Sequence, residues 1–129
     1  MEKEGISLSE AEWKVMEELW DRGSATGREM SMRMEKQMGW NRSTTLTLLR
    51  RMESKGAVES APDGPVKVFR PLLLRDEAAL RETESFLSRV YHGSLSMMVS
   101  TLSQRQALSQ KEIDDLYALL KEAEVKRDD

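Results

Sequence analysis

The chain of 129 residues has no cysteine and a single histidine, His92. The first absence excludes disulfides, thiolate metal sites and a cysteine nucleophile. The second excludes histidine-based triads and multi-histidine zinc sites. Long apolar runs are also missing: the longest uninterrupted one is Leu116-Tyr117-Ala118-Leu119-Leu120, against the ~20 residues that a bilayer-crossing helix requires. The opening Met1-Glu2-Lys3-Glu4-Gly5 does not read as a signal peptide. Conventional catalysis, a metal or cofactor and membrane insertion are therefore disfavoured. What remains, at 33% charged and 39% hydrophobic residues, is the profile of a soluble globular domain, alone or with a small appendage.

The net charge of −3 hides a pattern. Met1 to Gly27 carries 3 Lys/Arg against 7 Asp/Glu, Arg28 to Arg70 carries 9 against 5, and Pro71 to Asp129 carries 8 against 11. Only the middle third is basic. A local basic surface, rather than a basic protein, is what phosphate binding requires. Ordinary solvated charge explains the composition equally well.

Three S/T-x-x-E capping boxes mark helix starts: Ser9 with Glu12, Thr26 with Glu29 and Ser109 with Glu112. Each is flanked by apolar residues placed for a hydrophobic staple. Gly23, Gly39, Gly56 and Gly93 follow periodic segments, where a left-handed residue ends a helix. These signals predict helices over Glu10–Arg22, Gly27–Met38 and Arg42–Lys55, the last capped by Asn41. Ala57–Ala61 then reads as a strand, Pro62-Asp63-Gly64-Pro65 as a turn, and Val66–Phe69 as a second strand by its alternation. Beyond Leu74 three apolar stripes recur at helical spacing. They are Ala79, Thr83, Phe86, Leu87 and Val90; Leu95, Met98, Val99 and Leu102; and Ile113, Leu116, Tyr117 and Leu120. Val125 to Asp129 reads as a frayed tail.

The third helix is the informative element. At 100° per residue, Thr45, Leu48, Leu49 and Met52 share the packing side. Ser43, Thr47, Arg50 and Ser54 lie opposite, with Leu46 and Arg51 on the flanks and Glu53 nearer the packing edge. A Ser/Thr/Arg surface without carboxylates suits a DNA major groove, because arginine pairs in bidentate fashion with guanine and hydroxyls reach bases or phosphates. An ordinary solvated helix face is the competing reading, although such faces usually mix Glu with Lys. The hairpin following the helix can lie beside it, with Lys67 and Arg70 as its cations; Asp63 at the tip weakens that contact.

Other features call for no special role. Met30, Met34 and Met38 recur as ordinary helix packing, and Trp13, Trp20 and Trp40 read as core or junction anchors. His92 sits at a helix end, where a cation suits the dipole. Asp114-Asp115 reads as a solvated face. The helices after residue 75 have one apolar side each and make a poor isolated core, so a second copy of the chain is their natural cover.

In this order the residues resemble the BlaI/MecI/CopY penicillinase-repressor family of bacterial winged-helix regulators. The resemblance is carried by Leu8-Ser9-Glu10-Ala11-Glu12-Trp13, Leu19-Trp20, Thr26-Gly27-Arg28-Glu29, Trp40-Asn41-Arg42-Ser43-Thr44, Thr47 through Met52 and Lys55-Gly56-Ala57-Val58. It continues through Glu82 to Leu87, Gly93-Ser94-Leu95, Leu108 to Ile113, Leu116 and Leu119-Leu120. The resemblance implies a mainly α fold with a small two- or three-stranded antiparallel β wing. A winged helix-turn-helix would span residues 1–74 and a C-terminal helical dimerisation region residues 75–129. It implies a cytoplasmic, non-enzymatic homodimer that represses transcription from a palindromic double-stranded operator, with helix 42–55 in the major groove and hairpin 57–70 as the wing. The family's groove-reading positions correspond to Arg42, Ser43, Thr44, Thr47, Arg50 and Arg51.

On this basis Ser43, Thr44, Thr47 and Arg50 are expected to read bases. Arg28, Arg33, Lys36, Arg42, Arg51, Lys67 and Arg70 are expected to meet phosphates. Phe86, Leu87, Val90, Leu95, Met98, Val99, Leu102, Ile113, Leu116, Tyr117 and Leu120 are expected at the dimer interface. Two departures bear on the inducing signal. The copper-responsive branch uses a C-terminal cysteine cluster, which this chain lacks. The β-lactam branch is cleaved at an Asn-Phe bond, where this chain has Thr101-Leu102, which argues against the same protease specificity. An unidentified inducer or protease is left as the further partner. The alternative is a winged-helix protein-interaction module that does not bind DNA, which the acidic ends and Asp63 favour.

Overall fold

The computed structural model describes residues 6–105 and 107–128. Three helices come first: α1 (Glu10–Arg22), α2 (Gly27–Met38) and α3 (Arg42–Lys55). Both N-terminal capping boxes are formed in full: Ser9 and Thr26 accept from the N–H groups of Glu12 and Glu29, and each glutamate returns the bond. Asn41 caps α3 by accepting from the Thr44 N–H. The predicted bounds of all three helices hold because cap and stop residues are local signals.

Three strands follow the sheet order β1-β3-β2, all antiparallel: β1 (Ala25–Thr26), β2 (Val58–Asp63) and β3 (Val66–Pro71). The hairpin departs from the sequence expectation. Pairing runs out to Asp63 opposite Val66, so the loop is Gly64-Pro65 alone and Pro62 lies within β2. Two facts permit this. β2 is an edge strand, where proline is tolerated, and Gly64 takes a φ of 63°, the positive value a two-residue hairpin loop requires. The third strand, β1, is a two-residue link between α1 and α2 that pairs Ala25 with Phe69 and Thr26 with Val68. Two residues carry no periodicity, so no sequence pattern announces it.

The core lies between these elements. Val15, Met16 and Leu19 of α1 meet Met30 and Met34 of α2, Leu48, Leu49 and Met52 of α3, and Val58, Phe69 and Leu73 beyond. Each such side chain contributes about 1.5–3 kcal/mol by leaving water. Thr45 is buried with them, so the predicted packing side of α3 is the observed one. Trp20 anchors the rim: its indole Nε1 donates to the Leu73 carbonyl at 2.8 Å, and its ring meets Trp13 edge-on at 5.3 Å. Met38, expected to pack with Met30 and Met34, stands exposed in the last turn of α2.

The remaining helices are α4 (Arg75–Tyr91), α5 (Leu95–Gln104) and α6 (Gln110–Asp128). The chain divides into two compact units, residues 1–83 and 84–129, so the boundary falls within α4. α6 runs on to Asp128 rather than fraying at Val125, and the Lys126-Arg127 pair in its last turn complements the helix dipole. At its start Ser109 Oγ accepts from the Glu112 N–H at 3.1 Å, but the reciprocal bond of the third predicted box is not among those of the described residues. Asp115 pairs with Lys111 at 2.7 Å. In the second unit, none of the described residues is fully buried. Leu95, Met98, Val99, Leu102, Ile113, Leu116, Tyr117 and Leu120 line one open apolar groove of about 900 Å³, with Tyr117 68% and Leu120 60% exposed. Phe86 and Val90 are exposed on α4, and Leu87 is half-buried. No helix among the described residues is long and apolar enough to cross a membrane.

Candidate nucleic-acid interface

α3 turns a polar ridge outward. Arg42, Ser43, Thr44, Thr47, Arg50, Arg51 and Ser54 are all exposed. The opposite stripe of Leu48, Leu49 and Met52 holds the helix from behind. Thr44 has a second duty: its hydroxyl donates to Asn41 Oδ1 at 3.0 Å while its N–H donates to the same oxygen at 2.9 Å. It can therefore only accept from an outside partner.

Beside this ridge lies a cleft of about 590 Å³, walled by the start of α2, by α3 and by the hairpin. Arg28, Arg42, Arg50 and Lys67 surround it. None of these four belongs to an ion pair among the described residues. Leu46, Phe69, Pro65 and Val66 supply the apolar lining. Glu53 is the one carboxylate among the lining residues, and it accepts a hydrogen bond from Ser60 Oγ of β2. That bond ties the hairpin to α3.

The other predicted cations lie elsewhere. Arg33 is turned back onto α1, with its guanidinium 2.9 Å from Glu18. Arg70 pairs across the hairpin with Glu59. Lys36 and Arg51 are exposed but do not line the cleft. Ser43, Thr44 and Thr47 likewise lie on the ridge outside it.

Sequence reasoning missed the cleft's floor. Gly27 opens α2 where a Cβ would sit 3.1 Å from Leu46 Cδ2 and 3.7 Å from the Phe69 ring. Its lack of a side chain lets α2, α3 and the hairpin converge. Glycine at the first helical position is the available signal, since alanine there would favour the helix more. Next to it, the Thr26 cap bonds hold the Glu29 carboxyl below the usual carboxylate range, aided by Arg22. Chemically, the arrangement can neutralise a row of anionic groups on one side of a helix whose ridge stays free for hydrogen bonding.

The model of the penicillinase repressor family matches residues 8–122. The chain belongs to the penicillinase repressor family. This family member is 33% identical over 115 residues to a penicillinase repressor of Bacillus licheniformis, covering 89% of this chain and 90% of the relative. It is 26% identical over 120 residues to the methicillin resistance regulatory protein MecI of Staphylococcus aureus (strain N315), covering 93% and 98% respectively. Among solved structures it resembles the DNA-binding domain of the repressor BlaI, with a TM-score of 0.54 and 30% identity over 60% of this chain and 93% of that one. A second match is the monomeric form of Bacillus licheniformis BlaI in complex with the blaP half-operator. Its TM-score is 0.51, with 29% identity over 56% of this chain and 88% of that one. The family is one of repressors, not of enzymes, and this member carries its winged-helix fold with a mainly helical C-terminal part.

Proposed function

We propose that this chain is a sequence-specific DNA-binding transcriptional repressor acting as a homodimer. Residues 1–74 form the DNA-binding unit and residues 75–129 the helical dimerisation region. α3 enters the major groove with Ser43, Thr44, Thr47 and Arg50 toward base edges, and the β2–β3 hairpin lies alongside as the wing. Arg28, Arg42 and Lys67 meet the backbone first, because their charges are unpaired among the described residues and gathered at one cleft. Lys36 and Arg51 extend that surface. Arg33 and Arg70 contribute less, their charges being shared with Glu18 and Glu59.

The observation that carries this reading is the ring of four cations, unpaired among the described residues, beside an outward ridge without carboxylates. The test is the affinity for a duplex selected by the chain from a randomised pool, followed against salt. Each phosphate neutralised adds about −0.9 to the slope of log affinity against log salt. The expected result is a steep slope together with preference over a scrambled duplex; equal, salt-insensitive binding of both rejects the reading.

The homodimer is supported by the open groove between α5 and α6 and by a second unit in which none of the described residues is fully buried. An exposed apolar surface of this kind marks an interaction site. A dimer presents two ridges to half-sites about one helical turn apart, or multiples of it, so the operator is expected to be palindromic. Sedimentation showing only monomer at micromolar concentration defeats this part. Relief of repression by an unidentified inducer or protease belongs to the same reading.

A further inference from the structure

The N-terminal box on α1 contains a glutamate that the capping role does not explain. Glu12 Oε1 accepts from the Ser9 N–H at 2.8 Å, and the Ser9 hydroxyl accepts from the Glu12 N–H at 3.1 Å. The equivalent box on α2 does the same work with Glu29 47% exposed. The Glu12 side chain is 1% exposed, and its Oε2 is buried with no hydrogen-bond partner among the described residues. Burying a carboxylate is costly unless it is well paired. The pairing comes from the far end of α3: Lys55 Nζ lies 2.6 Å from Glu12 Oε1 and 2.7 Å from the Ser7 carbonyl oxygen. Lys55 is the last residue of α3.

We propose that Glu12 and Lys55 are positioning residues for sequence discrimination: together they set the rotation and axial placement of α3, and through it the direction of Thr47 and Arg50. The proposal rests on the DNA-binding reading above. Packing of Leu48, Leu49 and Met52 is strong but non-directional, so it holds α3 against the core without specifying its angle closely. The ion pair is directional and short. It is also anchored, because the capping bonds with Ser9 hold Glu12 at its own backbone. Base readout tolerates only about 0.5 Å and 10–20° of error, since its hydrogen bonds fail outside a narrow range. Phosphate contacts from long, flexible arginines and lysines tolerate more. Loosening the tie should therefore cost discrimination while sparing general DNA affinity.

The test uses the full chain with a duplex selected by the wild type and its scrambled counterpart, at one salt concentration. The double variant E12Q/K55M removes both charges together, so neither is left buried alone, and the amide oxygen still caps the Ser9 N–H. The expected result is a selected-to-scrambled affinity ratio lowered about tenfold, the size of one lost base contact, with scrambled-duplex affinity within about twofold of wild type. Denaturant unfolding of the same samples corrects for any unfolded fraction. K55R keeps the pair and is expected to retain the wild-type ratio. A folded double variant with the wild-type ratio overturns the proposal; if the double variant does not fold, Lys55→Gln is read in its place, a lowered ratio supporting the proposal and a wild-type ratio overturning it. A wild-type chain that binds both duplexes equally rejects the DNA-binding reading itself, a distinct outcome.

Discussion

Gly27 and Leu46 are separated by so little that a methyl group on Gly27 would lie 3.1 Å from Leu46 Cδ2, and this close approach forms the floor of the cationic cleft. Gly27→Val should force Leu46 and the Phe69 ring aside. Overpacking of this kind costs about 1–3 kcal/mol, to be measured by urea unfolding, and should weaken binding to any duplex. Wild-type stability and affinity in this variant would show that the cleft floor is free to yield.

Arg50 and Lys67 face the same cleft from different elements, and their losses should differ in kind. Arg50→Ala is expected to lose about 1–3 kcal/mol of discrimination between selected and scrambled duplexes. Lys67→Ala should weaken both equally and reduce the salt slope by about one contact's worth. Fluorescence anisotropy titrations at several salt concentrations separate the two; equal loss on both duplexes for Arg50→Ala contradicts its assignment to bases.

The pH dependence of stability should carry the signature of Glu12. Burial alone would raise its carboxyl, but the Lys55 hydrogen bond, the Ser9 backbone bond and the Lys55 charge together hold it below the usual carboxylate range. Its folded value thus lies below its unfolded one. The stabilisation is fully present above the unfolded value and is lost as pH falls through the folded value. Unfolding free energy should decline on acidification more steeply in wild type than in Glu12→Gln, by chemical denaturation from neutral pH downward. Parallel curves would remove Glu12 from the account.

Thr45 Oγ1 is buried on α3 without a hydrogen-bond partner among the described residues. Thr45→Val replaces that hydroxyl by a methyl of similar shape. Since an unsatisfied buried polar group costs about 1–3 kcal/mol, the variant should unfold at higher denaturant concentration with unchanged m-value. A lower midpoint would mean that the hydroxyl has a partner in solution.

The first three helices and the two sides of α3 can be read from the residues in order, because caps, glycine stops and the 3.6-residue period act within a few neighbours. Ser9, Thr26, Asn41 and the Thr45-Leu48-Leu49-Met52 stripe are legible for that reason. The apolar stripes after Leu74 are legible too, since uncovered hydrophobic faces show in spacing alone. Packing of the folded chain settled what depends on residues far apart in the chain. It joined Ala25 to Phe69, extended β2 through Pro62, and sorted the cations by whether a distant carboxylate reached them: Glu18 took Arg33 and Glu59 took Arg70, while Arg28, Arg42, Arg50 and Lys67 stayed unpaired among the described residues. Charge and spacing along the chain specify which groups exist, but which of them meet is a matter of distance in space, and only the packed molecule defines it.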